Sequence, residues 1–75
     1  MEFTSRQLRA LVAIADRGSF SRAADALFMT PSGVSVLVRE IESQLGFRVF
    51  ERTTRQVSLT GHGSALLPAI RRAAS

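Results

Sequence analysis

Apolar residues recur at three- and four-residue spacing through most of the chain, and the recurrence is interrupted at a few points rich in glycine, serine or threonine. Leu8, Leu11, Val12 and Ala15 form the first stripe. In front of it Thr4 and Gln7 have the spacing of a capping box, with Phe3 and Leu8 placed to staple across it. Gly18 stands where a left-handed residue ends a helix, so the pattern predicts a helix over 5–17. Ser19-Phe20-Ser21 restarts the chain. With Ser21 as N-cap and Phe20 turned inward, a second helix is predicted from about Arg22 to Leu27 or Phe28. Thr30 can cap a third and Pro31 suits its first turn. Val34, Val38, Ile41 and Leu45 then make a buried arc flanked by Leu37, and Gly46 closes a helix predicted over 31–44.

Ala23 and Ala24 are small where two helices must cross closely, and only Phe28 and Met29 separate the second helix from the cap of the third. The segment 19–45 therefore reads as a helix-turn-helix. Many such turns use glycine because the backbone takes positive φ, so either this turn avoids that region or Phe28 is strained. Opposite the buried arc of the third helix lie Ser32, Ser35, Val36, Arg39 and Ser43, a face suited to a DNA groove.

After Gly46 the period shortens. Phe47-Arg48-Val49-Phe50 alternates as a strand, Val57-Ser58-Leu59 is its partner, and Glu51 to Gln56 forms a polar tip carrying two arginines. A hairpin after a helix-turn-helix is a wing, here over about 47–59. Thr60 can cap a last helix, from 61 onward, whose Leu66, Leu67, Ile70, Ala73 and Ala74 make an apolar stripe. Gly61, Gly63 and Pro68 disfavour that helix in isolation, an interior proline costing about 3 kcal/mol. A second copy of the chain is the simplest cover for the stripe, with Leu66, Leu67 and Ile70 as dimerisation residues. The end at Ser75, inside an amphipathic pattern, suggests a fragment of a longer protein. The fold class is mainly α: a winged helix-turn-helix with a three-helix core and a two-stranded wing over 1–60, then the start of a linker helix over 61–75.

Composition narrows the partner. The chain has 75 residues, ten basic against six acidic, with every basic residue an arginine. The planar guanidinium matches phosphate oxygens and guanine edges in a bidentate way, whereas charge alone would equally serve solubility or a membrane surface. A domain of this size buries only about 60% of its unfolded surface. There is no cysteine, and no apolar run approaches the roughly 20 residues that cross a bilayer, so a soluble, cytoplasmic chain without membrane association is expected. His62 is the lone histidine and lacks the companions a metal site needs. No phosphate-binding glycine loop and no nucleophile–base pair point to an enzyme. The five phenylalanines are read as core, since they are not grouped as a stacking platform for single-stranded bases.

Arg-Ala-Ala at 22–24, Leu27, Thr-Pro-Ser-Gly-Val-Ser at 30–35, Ile41-Glu42, Leu45-Gly46, Val49-Phe50-Glu51-Arg52, Arg55, Val57 and Leu59-Thr60 together resemble the DNA-binding domain of a LysR-type transcriptional regulator. The resemblance covers essentially the whole chain. It implies a bacterial regulator, dimeric or tetrameric, with a linker helix that pairs with its copy and a separate domain, absent here, for a small-molecule effector; no cofactor is implied for this domain. It makes Ser32, Ser35, Val36 and Arg39 recognition-helix candidates, Ser21 and Thr30 candidates for phosphate contact, and Arg52 and Arg55 the wing arginines. Three positions depart from the family pattern: Val36 where polar or basic residues are common, Gly33 where alanine is common, and His62 where alanine is common. They bear on base preference rather than on fold.

Each candidate has a plainer alternative. Val36 is either a van der Waals contact to a thymine methyl or a partly covered surface valine. Ser32 and Ser35 either touch bases or phosphates or satisfy backbone groups in the first turns. Gly33 either admits the DNA backbone or simply starts a helix. Arg39 reaches a phosphate or guanine, or else pairs with Glu42 or Ser43 on its own helix. Arg52 and Arg55 bind phosphates or enter the minor groove, or decorate a solvated hairpin. The favoured reading is sequence-specific binding to an interrupted palindrome in double-stranded DNA by two copies. A winged-helix protein-interaction module is the alternative.

Overall fold

The computed structural model describes residues 3–52 and 57–74. Its elements follow in the order α1 (Ser5–Arg17), α2 (Phe20–Leu27), α3 (Pro31–Leu45), β1 (Phe50–Arg52), β2 (Val57–Leu59) and α4 (Gly61–Ala74).

Local chemistry sets the helix ends. The Thr4 hydroxyl accepts from the Gln7 amide at 3.1 Å, and the Gln7 side chain accepts from the Thr4 amide at 2.8 Å, the reciprocal pair expected of the capping box. Gly18 and Gly46 end α1 and α3 at φ of 65° and 81°. The start of α2 corrects the sequence reading: its N-cap is Ser19, whose hydroxyl accepts from the Arg22 amide at 3.3 Å, and Ser21 lies exposed within the first turn. The earlier start makes Phe20 the first helical residue. It packs against the core edge-to-face with Phe50, ring centroids 6.3 Å apart.

The turn after α2 resolves the question of Phe28, which sits in the left-handed region at φ 57°, ψ 45°. The Met29 amide donates to the Ala24 carbonyl at 2.9 Å and the Phe28 amide to the Asp25 carbonyl at 3.3 Å. That pairing is a Schellman motif, which requires a left-handed residue at this position. The geometry aims the ring outward: Phe28 is 96% exposed, so not every phenylalanine joins the core.

Leu11, Ile14, Val34, Val38, Ile41, Val49 and Phe50 are the large side chains sealed inside, and Ala23 and Ala24 are fully buried where α2 crosses its neighbours. The antiparallel wing pairs Phe50 with Leu59, Glu51 with Ser58 and Arg52 with Val57. It begins later than the alternation at 47–50 predicts, and Val49 and Phe50, adjacent in sequence, are both buried. A regular strand would send them to opposite faces; Val49 escapes this because it precedes the ladder. Phe47 instead stacks on His62, ring centroids 4.8 Å apart.

Helix α4 runs through Pro68 and packs along α1. Thr60 caps it as predicted, accepting from the Gly63 amide at 3.0 Å. Ile70, read as a dimerisation residue, is instead a core residue with 4% exposure. Leu66 also packs on the core. The stripe is thus covered in part by α1 of the same chain. What stays open is an apolar groove of about 540 Å³ lined by Phe3, Leu8, Leu45, Leu66, Ala69 and Ala73 among others.

Candidate nucleic-acid interface

The sequence of α3 divides it into a buried arc and a free face. Val34, Val38 and Ile41 are fully enclosed, which fixes the rotation of the helix and turns Ser32, Val36, Arg39, Glu40 and Ser43 to solvent. Val36 is 51% exposed, unusual for a large apolar side chain in this protein. Ser35, expected on the free face, is half-buried on its flank. Sequence spacing leaves Arg39 open to pairing with Glu42. The structure directs Glu42 elsewhere, and Arg39 makes no hydrogen bond or ion pair among the described residues.

Thr30 holds the N-terminus of this helix. Its side-chain oxygen accepts from the Gly33 amide at 3.1 Å, leaving the hydroxyl proton available to an acceptor outside the protein. A Cβ on Gly33 would approach that same oxygen at 3.1 Å and the end of Met29 at 3.5 Å, so the side of Gly33 where a Cβ would stand is already filled by the cap and Met29. Ser21 is exposed on α2, apart from the free face of α3 in sequence and in element.

The wing stands beside α3 through contacts that sequence inspection missed. The Glu42 carboxylate accepts from the Val49 amide at 2.8 Å and from the Phe50 amide at 3.3 Å. From the other side, the Thr60 amide donates to the Val49 carbonyl at 2.9 Å and the Thr60 hydroxyl donates to the Arg48 carbonyl at 2.5 Å. The backbone of Arg52 is paired in β1, while its side chain and Arg55 lie outside the described residues. In the sequence Glu42 stands out as a charge within reach of Arg39 and as part of the family-like Ile41-Glu42 pair, but its role is not legible there, because its partners are backbone amides seven and eight residues on, joined to it by a turn whose path no periodicity specifies.

Among the described residues there is no cluster of histidine, cysteine, aspartate or glutamate that could hold a metal, and no helix is long and apolar enough to cross a membrane. Leu67 is half-buried without packing on the main core.

Comparison with known proteins places this arrangement. A family described as "Bacterial regulatory helix-turn-helix protein, lysR family" matches residues 5–64. The transcriptional regulator CrgA of Neisseria meningitidis is 45% identical over 64 residues, which is 85% of this chain and 21% of the relative. A probable RuBisCO transcriptional regulator of Synechocystis is 48% identical over 65 residues, 87% of this chain and 19% of the relative. The chain therefore spans about a fifth of the length of these relatives. Among solved structures, the DNA complex of the CbnR DNA-binding domain superposes with a TM-score of 0.89 at 31% identity, covering 95% of this chain and 82% of that one. A hydrogen-peroxide-bound mutant of OxyR from Corynebacterium glutamicum gives 0.92 at 34% identity, covering 97% of this chain and 23% of that one. With residues 5–64 matched by the family and the fold superposing on such a DNA-binding domain, the chain belongs to the lysR family of bacterial regulatory helix-turn-helix proteins.

Proposed function

We propose that this chain is the DNA-binding domain of a transcriptional regulator and that it reads double-stranded DNA with α3 in the major groove. The observation that carries this reading is the free face of α3. Ser32, Val36 and Arg39 project from a helix whose opposite side is locked into the core, so the face is rigid before any partner arrives. The solved DNA complexes of the CbnR and BenM DNA-binding domains, which share this fold at 31% and 30% identity, support it.

In this reading Ser32, Ser35, Val36 and Arg39 face bases and phosphates, with Gly33 beneath them at the start of the helix. Ser21 and Thr30 donate hydroxyl protons to phosphate oxygens, and Arg52 and Arg55 of the wing neutralise flanking phosphates or enter the minor groove. Two copies bind an interrupted palindrome, associating through α4 with Leu66 and Leu67. The domain acts in the cytoplasm without catalysis or a cofactor, and a small-molecule effector acts on a segment of the regulator outside this chain.

Phosphate neutralisation releases counterions, so affinity for a duplex selected from a randomised library should fall about a thousandfold or more between about 50 and 200 mM salt if a dimer neutralises about six phosphates. Arg52→Ala and Arg55→Ala should each flatten the salt dependence. Weak, salt-insensitive association with every duplex in the library would overturn the reading.

A further inference from the structure

We propose that Glu42 is a positioning residue for DNA binding: its carboxylate fixes the wing relative to α3, so that one duplex meets both at once. The proposal rests on the DNA-binding reading above. It begins from an arrangement in which one carboxylate oxygen accepts from two successive amides, those of Val49 at 2.8 Å and Phe50 at 3.3 Å. Those amides belong to residues with 0% and 1% exposure, at the root of β1. Without the carboxylate they would be left short of an acceptor beside a water-excluded core, and hydrogen bonds to an ionised acceptor are the stronger kind.

The position of Glu42 on the helix gives the contact its consequence. It lies one turn beyond Arg39 on the flank of α3, between the buried arc and the free face, and it is half-buried. Among the described residues no other α3 side chain hydrogen-bonds the segment leading into the wing. On the opposite side the same segment is tied to the cap of α4 by Thr60. Glu42 is therefore the polar link from the reading helix to the wing, and the wing's orientation at the duplex is inherited from it. An untethered wing would have to be ordered during binding, at a cost in affinity that a preset wing avoids.

The test compares wild type, Glu42→Ala, Glu42→Asp and Glu42→Gln on a duplex selected by the wild-type chain, reading affinity across salt concentrations and hydroxyl-radical protection of the backbone. Glu42→Ala should lower affinity, abolish protection where the wing sits and keep protection where α3 sits. Its log–log salt slope should fall by about 0.9 for each phosphate that the wing no longer neutralises. Combining it with Arg52→Ala and Arg55→Ala should flatten the slope no further. Glu42→Gln keeps an amide oxygen as acceptor and should retain most of the wing protection; Glu42→Asp keeps the charge but is one methylene too short and should behave like Glu42→Ala. The aspartate variant decides the matter if the alanine variant fails to fold. Wild-type slope and footprint in folded Glu42→Ala or Glu42→Asp, or uniform weakening of wing and groove protection, would overturn the proposal. A wild-type chain that binds no duplex in a salt-dependent way would instead overturn the DNA-binding reading and this proposal with it.

Discussion

Gly63 faces the backbone of Val49: a Cβ at Gly63 would lie 2.2 Å from the Val49 carbonyl oxygen and 3.0 Å from its carbonyl carbon. The same oxygen accepts the Thr60 amide at 2.9 Å, so the first turn of α4 is pressed onto the root of the wing backbone against backbone. Backbone cannot swing aside as a flexible side chain can. Gly63→Ala should therefore destabilise the fold by about 1–3 kcal/mol, despite alanine's advantage in helix propensity of roughly 1 kcal/mol. Gly61→Ala is the control, because nothing lies within 4 Å of its Cβ position. Urea titration should show a lowered midpoint for the first variant and an unchanged or raised one for the second.

Phe28 combines a left-handed backbone with a ring that is 96% exposed. A bulky residue in that region is strained by about 1–2 kcal/mol, whereas asparagine and glycine tolerate it. Phe28→Asn removes the strain and forfeits no burial. Thermal unfolding should shift upward, by about 4–8 °C for each kcal/mol recovered in a domain of this size. An unchanged or lower midpoint would show that the Schellman turn holds Phe28 without strain.

Arg71 on α4 pairs with Asp16 on α1 through both oxygens of the carboxylate, one of them at 3.2 Å. The hydrogen bond from Arg71 holds the Asp16 carboxyl below its ordinary range; slight burial opposes this, and the charges of Arg71 and Arg17 add to it. A carboxyl with a depressed folded-state pKa stabilises fully above its unfolded value, about 3.9, and loses that stabilisation as pH falls through the folded value. Both partners are nearly half exposed, so the effect is small and screened by salt. Comparing wild type with Asp16→Asn in melts from about pH 2 to about pH 7 should show the two curves converging at the acid end, and a constant gap would exclude the linkage.

The burial of Ile70 changes what a dimerisation experiment must use. Ile70→Glu places a carboxylate in the core, and Ile70→Ala alone should cost about 2–5 kcal/mol, so either variant reports folding rather than association. Leu67→Glu leaves the main core untouched. Sedimentation on a palindromic duplex should find two protein chains per duplex for wild type, and weaker or single occupancy for Leu67→Glu. Retained two-to-one binding at wild-type affinity would remove Leu67 from the interface.

Val36, exposed on α3, has no hydrogen-bonding group, so a base contact there must be apolar and favour a thymine methyl. Selection from a randomised duplex library should return different consensus sequences for wild type and Val36→Gln. The same consensus from both would assign Val36 to the uncontacted surface.

The helices are written locally in the sequence: the Thr4–Gln7 box, the glycines at 18 and 46, and the threonine caps at 30 and 60 act within four residues of themselves. It also determined the rotation of α3, since Val34, Val38 and Ile41 recur at the helical period and their burial leaves Val36 and Arg39 outside. The local pattern puts the cap of α2 at Ser21, whereas the structure caps it at Ser19, two residues earlier, with Phe20 inside the helix and packed against Phe50. Tertiary structure likewise decided the wing root and the fate of α4. Val49 and Phe50 are both buried because Glu42 and Thr60 supply their backbone partners from elements on either side of the wing root. Ile70 is buried because α1 lies alongside α4, although its stripe looks the same in sequence whether its cover comes from the same chain or another. Periodicity records which side of an element avoids water. It does not record which surface meets that side, and that is settled only when all the elements pack at once.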